Sequence, residues 1–190
     1  MFARTPRLLL RPGWKEDASA LAAAIGDFSV VGKLAQAPWP YGQDDAEAFL
    51  AADHGPLPNF LMFARTHGAP RLIGGISLAE CENGVELGYW IARPYWGLGF
   101  ATEAGKAIVD IADRALRLPR LIAGPFADNP SSARVLEKLG FLPTGTVSTR
   151  FCRARNARET CIDHVRPAFA RGRLMPSDVI GYDREEAIAA

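Results

Sequence analysis

Two stretches of this 190-residue chain carry residue types at spacings that could do chemistry. The first is Glu86-Leu87-Gly88-Tyr89-Trp90-Ile91-Ala92-Arg93-Pro94-Tyr95-Trp96-Gly97-Leu98-Gly99-Phe100-Ala101-Thr102-Glu103. It reads as a strand, a proline-marked break, a glycine turn and the start of a helix. Such a junction aims several backbone N–H groups at one spot, at the positive end of a helix, and that spot suits a phosphate. A glycine pair belongs there because a Cβ would block the approach of backbone to phosphate. A tight strand-to-helix turn without a ligand is the plain alternative. A dinucleotide-binding fingerprint is excluded, since Thr102 stands where its third glycine or alanine is wanted and no β-rich unit follows at that spacing. The second stretch is Asn129-Pro130-Ser131-Ser132. Asn129 can cap free N–H groups of a helix, Pro130 fits the first helical position, and Gly140 supplies a left-handed stop.

Periodicity supplies the elements that must position these stretches. Arg7 to Arg11 reads as a short strand, and a helix runs from Trp14-Lys15-Glu16-Asp17 to about Ile25 with Ala18, Leu21, Ala22 and Ile25 on one face. Gly26 to Gln43 reads as loop. Within it Pro38-Trp39-Pro40-Tyr41 is stiff and presents aromatic surface, as a lid on the core or a wall of a substrate groove. A helix over Asp44 to Ala52 should bury Ala48, Phe49 and Ala52. Phe60 to Thr66, Arg71 to Leu78 and Val85 to Ala92 form a meander, with His67 a solvated residue at one turn. Phe100 to Leu116 repeats Ala104, Ala107, Ile108, Ile111, Ala112 and Ala115 at the helical period. Leu118 to Pro125 follows that helix as a strand, so the crossover makes it a parallel neighbour of Val85 to Ala92. The Asn129-capped helix presents Val135, Leu136 and Leu139, and Thr144 to Ala154 with Glu159 to Arg166 forms a closing hairpin. From Pro167 the pattern weakens into an extension with a short helix toward its end. The expected class is α/β (α+β), a mixed sheet with helices on its faces.

Bulk properties narrow the function. With 48% apolar and 23% charged residues, the composition is that of an ordinary globular protein, and a formal net charge of +1 gives no global pull toward nucleic acid or membrane. Leu8-Leu9-Leu10 is too short for a secretory segment, and no apolar run approaches the ~20 residues of a membrane helix. A cytoplasmic protein is expected. Cys81, Cys152 and Cys161 form an odd set without metal-ligand spacing, so no metal is expected. They read as free thiols, with a Cys152–Cys161 bridge across the last hairpin as the alternative.

Both stretches resemble the GNAT superfamily of acyl-CoA N-acyltransferases. The similarity rests on Glu86 to Trp90, Tyr95 to Ala104 and Asn129 to Phe141, in the right structural order. Pro38-Trp39-Pro40-Tyr41 and Leu8-Leu9-Leu10-Arg11-Pro12 also match the RimJ/RimL-like branch, which acetylates ribosomal-protein N-termini. The resemblance spans about residues 6 to 166. It implies one domain over 1–166, a mixed sheet of about seven strands splayed at the cofactor cleft, and a C-terminal extension over 167–190.

Acetyl-CoA is the cosubstrate so implied. Backbone around Trp96, Gly97, Leu98, Gly99, Phe100, Ala101 and Thr102 would hold its pyrophosphate. Pro94 stands where the superfamily often has Gln or Arg, with Arg93 one place away as the substitute. Trp90, Ile91 and Ala92 would hydrogen-bond the pantetheine amides as an added strand does, and Asn129 would contact CoA. Glu86 matches the position of the base, acting through a water; a strand carboxylate paired with an arginine is its other reading. Leu136 occupies the place of the tyrosine that many members use on the departing thiolate. The RimJ/RimL-like branch instead has a serine three residues after the asparagine, matching Ser132, which otherwise is a plain first-turn residue. Trp39, Tyr41 and Glu86 would meet the acceptor.

The implied reaction is direct attack of an amine on the thioester. An α-amine of pKa ~7.7–8.0 is roughly a tenth neutral at pH 7, whereas a lysine at ~10.4 is neutral in well under a thousandth. A protein or peptide N-terminus is therefore the first expectation. A small amine, such as an aminoglycoside or polyamine, is the second, and a CoA-binding domain without catalysis the third. The chain is expected as a monomer or homodimer.

Overall fold

The computed structural model describes residues 1–66 and 68–167. The reading of His67 as a solvated turn residue, and that of the extension beyond Pro167, lie outside the described residues. In chain order the elements are β1 (Ala3–Arg4), β2 (Leu8–Arg11), α1 (Ala18–Ile25), α2 (Phe28–Val31), α3 (Gln43–Ala51), β3 (Asn59–Ala64), β4 (Arg71–Cys81) and β5 (Gly84–Ile91). Then follow α4 (Phe100–Asp110), β6 (Arg120–Ala123), α5 (Pro130–Lys138), β7 (Leu142–Cys152) and β8 (Ala157–Pro167). The strands form one eight-stranded sheet in the order β1-β2-β3-β4-β5-β6-β8-β7, one strand more than expected, because Ala3–Arg4 pairs with Leu9 and Leu10.

The sheet is antiparallel except at its centre. There β5 and β6 run parallel, as the α4 crossover requires, but only Glu86 and Ile122 pair in register. On its other side β5 pairs with β4 over its whole length, from Cys81↔Gly84 to Gly74↔Ile91. The two central strands thus part beyond Glu86, and the main core lies on the face where α4 covers β2 to β5. Leu8, Leu10, Met62, Ile76, Leu78 and Leu87 meet Ala104, Ile108 and Ala112 there, all essentially buried.

Three local expectations change. The stretch between α1 and α3 is not wholly loop: Asp27 caps α2, accepting from the Ser29 N–H at 2.8 Å, and Val30 and Val31 are buried. The α3 helix buries Ala46 and packs Leu50 toward α1, while Phe49 stays exposed against the His54 ring. Gly42 rather than Asp44 marks its start, since the Asp45 carboxylate accepts the Gly42 N–H, and the inward pair is i, i+4 from Ala46. At the end of α4 the chain widens into a π-helical turn over Ile111–Ala115, closed by the Leu116 N–H on the Ile111 carbonyl, so Ala115 turns outward.

Buried charges are paired. Arg11 makes a bidentate bond to Asp17 at 2.7 Å on each arm, between the rings of Trp14 and Phe63. Burial would raise the Asp17 carboxyl, but the hydrogen bonds from Arg11 and the Trp14 N–H hold it below the usual carboxylate range. Arg166 grips Asp113 in the same way and donates to the Leu139 carbonyl at the end of α5. Cys152 and Cys161 are buried free thiols; their register partners on the hairpin are Ala157 and Ser148, not each other.

Candidate active site

The glycine turn is built for backbone, not side chains. Gly97 and Gly99 have φ of +77° and +81°, in the left-handed region, and a Cβ on Gly97 would meet nothing within 4 Å. Gly99 is the N-cap of α4, whose first intrahelical bond runs from the Glu103 N–H to the Gly99 carbonyl at 3.0 Å. The N–H groups of Phe100, Ala101 and Thr102 precede that bond and have no partner within the helix. An open, positively polarised cradle of this kind fits a CoA pyrophosphate.

Residues far away in sequence hold the cradle's shape. Arg7 donates through Nη1 to the Leu98 carbonyl at 3.0 Å and through Nε to Glu103 Oε2 at 2.6 Å, with its guanidinium 4.3 Å over the Phe100 ring. Thr5 and the Arg7 N–H both donate to Glu103 Oε1. Burial pushes the Glu103 carboxyl up, but these donors and the Arg7 charge prevail and leave it below its ordinary value. Arg7 is thus a cation beside the turn that the sequence reading did not place there. The Arg93 guanidinium lies on the Trp96 ring, 4.5 Å from its centre.

The split edge of β5 faces the cradle. Because the Ala92 N–H is bonded to the Ile73 carbonyl of the β4 side, antiparallel alternation turns the backbone of Trp90 and Ala92 toward β4, and that of Leu87, Tyr89 and Ile91 toward the gap. Of the expected pantetheine contacts, only Ile91 faces the gap, and its carbonyl already accepts the Trp96 indole N–H at 2.6 Å. Tyr89 is the residue the sequence reading left out; its alternation with Leu87 and Ile91 was the available signal.

Side chains meet on both faces of β5. On one, the Tyr89 hydroxyl lies 2.7 Å from Ser132 Oγ, a pair in which either oxygen can donate, with the Ser132 carbonyl 3.2 Å away as a second acceptor for the phenol. Burial pushes this phenol up to about 12, against a small opposing effect of the Ser132 hydrogen bond, so it is a neutral donor throughout the physiological range. Asn129 caps α5, its Oδ1 accepting from the Ser132 N–H at 3.3 Å and the Ser131 hydroxyl at 2.8 Å. A phenol from β5 thus stands beside the first turn of α5, where Ser132 lies. On the other face, Glu86 Oε1 accepts from Arg150 Nη1 at 2.5 Å. The arginine-paired state of Glu86 is the one observed.

A cleft of about 1250 Å³ joins these parts, lined among others by Glu86, Tyr89, Trp90, Gly97, Ser132 and Tyr41. Tyr41 is half-buried; burial first, and Asp45 second, push its phenol up to about 12. Trp39 does not line the cleft: its ring packs edge-on against Phe28, with centroids 5.4 Å apart, and it remains 45% exposed. The flanking prolines stiffen the segment but aim this indole at α2.

A central sheet opened between parallel strands, beside a left-handed glycine turn at a helix N-terminus, defines a CoA-dependent acyltransferase. The family model of the GNAT acetyltransferase domain matches residues 7–142, and the chain belongs to that family. It is 30% identical to the uncharacterised N-acetyltransferase YoaA of Bacillus subtilis over 155 residues, 75% of this chain and 84% of YoaA. Its fold is similar to that of a GNAT-family acetyltransferase from Bacillus anthracis, with a TM-score of 0.74 at 24% identity, covering 88% of this chain and 98% of that one. It is also similar to the ribosomal-protein-S5-alanine acetyltransferase of Vibrio fischeri, with a TM-score of 0.69 at 20% identity over 89% and 97% of the chains. The protein is an acetyl-CoA-dependent N-acetyltransferase. Among the described residues no helix is long and apolar enough to cross a membrane.

Proposed function

We propose that the acceptor is the α-amine of a protein or peptide N-terminus, in the manner of the RimJ/RimL-like branch. The observation that carries this is the state of Glu86. It is the carboxylate nearest the parting of β5 and β6, and it is already held by a guanidinium. A site whose one central carboxylate is engaged by a cation is poorly equipped to strip a lysine-like ammonium. It suffices for an α-amine, of which roughly a tenth is neutral at pH 7.

In this reading the amine nitrogen attacks the thioester carbonyl, the N–C bond forms and the C–S bond breaks. The proton lost by the amine passes through a water to Glu86 and on to solvent. Ser132, at the start of α5, donates a hydrogen bond to the departing sulfur and is itself supported by the Tyr89 phenol. Alignment supplies much of the rate, since effective molarities reach ~10⁵ M or more. The turn from Trp96 to Thr102 binds the pyrophosphate, and Asn129 contacts CoA. Tyr41 borders the acceptor. Residues 1–166 act as the catalytic domain, and 167–190 as an appended segment.

The test is thiol release from acetyl-CoA with three acceptors: a peptide with a free N-terminus, the same peptide blocked at its N-terminus but carrying a lysine, and spermine. Acetylation is expected on the α-amine, located by mass spectrometry. Turnover with spermine or the blocked peptide alone would overturn the assignment.

A further inference from the structure

Arg150 occupies a place that a mere partner for Glu86 does not need. From β7 it reaches across the sheet to the point where β5 and β6 part. Its Nη1 meets Glu86, and its Nη2 would lie 2.9 Å from a Cβ on residue 124, just past the end of β6. Gly124 is the residue type that leaves room for a guanidinium over the split. Arginine has several N–H donors in a planar fork, and Glu86 takes one. Among the described residues Nε and Nη2 have no hydrogen-bond partner, and the side chain is 35% exposed to the cleft. Asp163, the next carboxylate acting on Arg150, accepts instead from the Ser148 hydroxyl.

The cleft's carboxylates are in the opposite condition. Asp45 accepts the Gly42 N–H, Asp128 is held by Lys33 and Arg155, and Glu86 by Arg150. Among the described residues, a polycation entering the cleft finds no carboxylate unengaged, whereas an anionic group finds an unspent guanidinium edge.

We propose that the acceptor carries a carboxylate close to its amine and that Arg150 binds it. The reading rests on amine acetylation as proposed above and names the acceptor's chemistry. The amine lies toward Glu86 and the carboxylate toward the outer edge of Arg150, so the acceptor's two charges face the two charges of the protein's pair. A planar carboxylate matches the fork in a way that a single-point cation would not reproduce. The carboxylate belongs either to a free amino acid or to a residue next to a peptide's N-terminus.

The experiment uses the full chain, acetyl-CoA and two matched pairs: peptides differing only in Asp or Asn at their second residue, and a free amino acid with its amide. In at least one pair the acid is expected to exceed its amide by about tenfold in kcat/KM, the scale of a charge-assisted hydrogen bond. The pair that shows it identifies the source. Arg150→Gln should bring that ratio to within about twofold of one, whatever it does to absolute rates, and Arg150→Lys should leave it intermediate. A ratio near one in both pairs with the unmodified protein overturns the proposal. So does a ratio that survives Arg150→Gln, which would place the acceptor's carboxylate on another residue. If no acceptor is acetylated, the α-amine reading fails. Calorimetric binding of the same pairs to the CoA-loaded protein then decides this one: the acid should bind about tenfold more tightly than the amide through Arg150, and equal binding overturns it.

Discussion

The two faces of β5 solve the same problem with opposite materials. One face holds an ion pair, Glu86 with Arg150, half-open to the cleft. The other holds two neutral hydroxyls, Tyr89 with Ser132, in a largely buried setting. The difference matches what each face would handle in the proposed reaction. An ion pair costs little where water still reaches it, and it suits the side where an ammonium sheds a proton. Buried neutral donors avoid the desolvation of an ion, yet gain strength when a negative charge appears on a departing sulfur. In the mechanism proposed above, this contrast amounts to two proton paths separated by one strand.

The largest effect that could break the comparison is on the neutral face. Ser132→Ala should lower kcat by about 10²-fold, the cost of removing one donor to a developing anion. Tyr89→Phe should lower it by about tenfold, and the double variant no further than Ser132→Ala alone, because the two act as a unit. Thiol release at saturating substrates measures all three. Losses that multiply would mean two independent groups and no relay. Since burial holds the phenol near 12, its neutral form persists to high pH, and Tyr89→Phe should leave the pH profile unmoved below pH 10.

On the charged face the expectation is smaller and of another kind. Glu86→Gln should reduce kcat/KM for an α-amine acceptor by about tenfold near neutral pH, since much of the rate comes from alignment. It should also flatten the dependence on pH and leave KM for acetyl-CoA in place. If Glu86→Gln and Ser132→Ala shift the pH profile alike, the two faces are not separate paths.

How much of this was legible in the chain depends on distance along it. The glycine turn was readable because positive φ leaves its mark on residue type, and the Asn129-Pro130 cap because its partners are local. The strand–helix–strand crossover was readable from periodicity, and it fixed β5 and β6 as parallel. The long-range pairs at the candidate site were not. Ser132 meets Tyr89 from 43 residues away, Arg150 meets Glu86 from 64, and Arg7 meets Glu103 from 96, and no local pattern encodes such partners. Strand alternation sets Tyr89 on the face opposite Glu86, but nothing local says what awaits it there. Trp39 misled for the same reason: stiffness was legible, direction was not.

The cofactor turn offers a control outside both faces. Gly99→Ala forces a side chain into φ of +81°, which costs about 1–2 kcal/mol of left-handed strain. Relieving that strain deforms the phosphate cradle, so KM for acetyl-CoA should rise by about five- to tenfold. The pH profiles of the two faces should keep their shape. A changed profile would tie the cradle to the proton paths and dissolve the distinction.

The smallest effect concerns what holds the cradle still. Glu103 is held below its ordinary carboxylate value because the donors from Thr5 and Arg7 outweigh its desolvation. A carboxyl depressed in the folded state adds stability that is complete above its unfolded pKa and is lost as pH falls through the lower, folded one. Glu103→Gln should therefore cost about 1 kcal/mol at pH 7, the scale of a partly exposed network of this kind. It should cost less as the medium is taken below the usual carboxylate range. Denaturant unfolding at a series of pH values reads both. A constant penalty across the series would mean that the carboxylate serves as a shape and not as a charge. The bend between β1 and β2 that carries Arg7 would then be packed, not clamped, against the glycine turn.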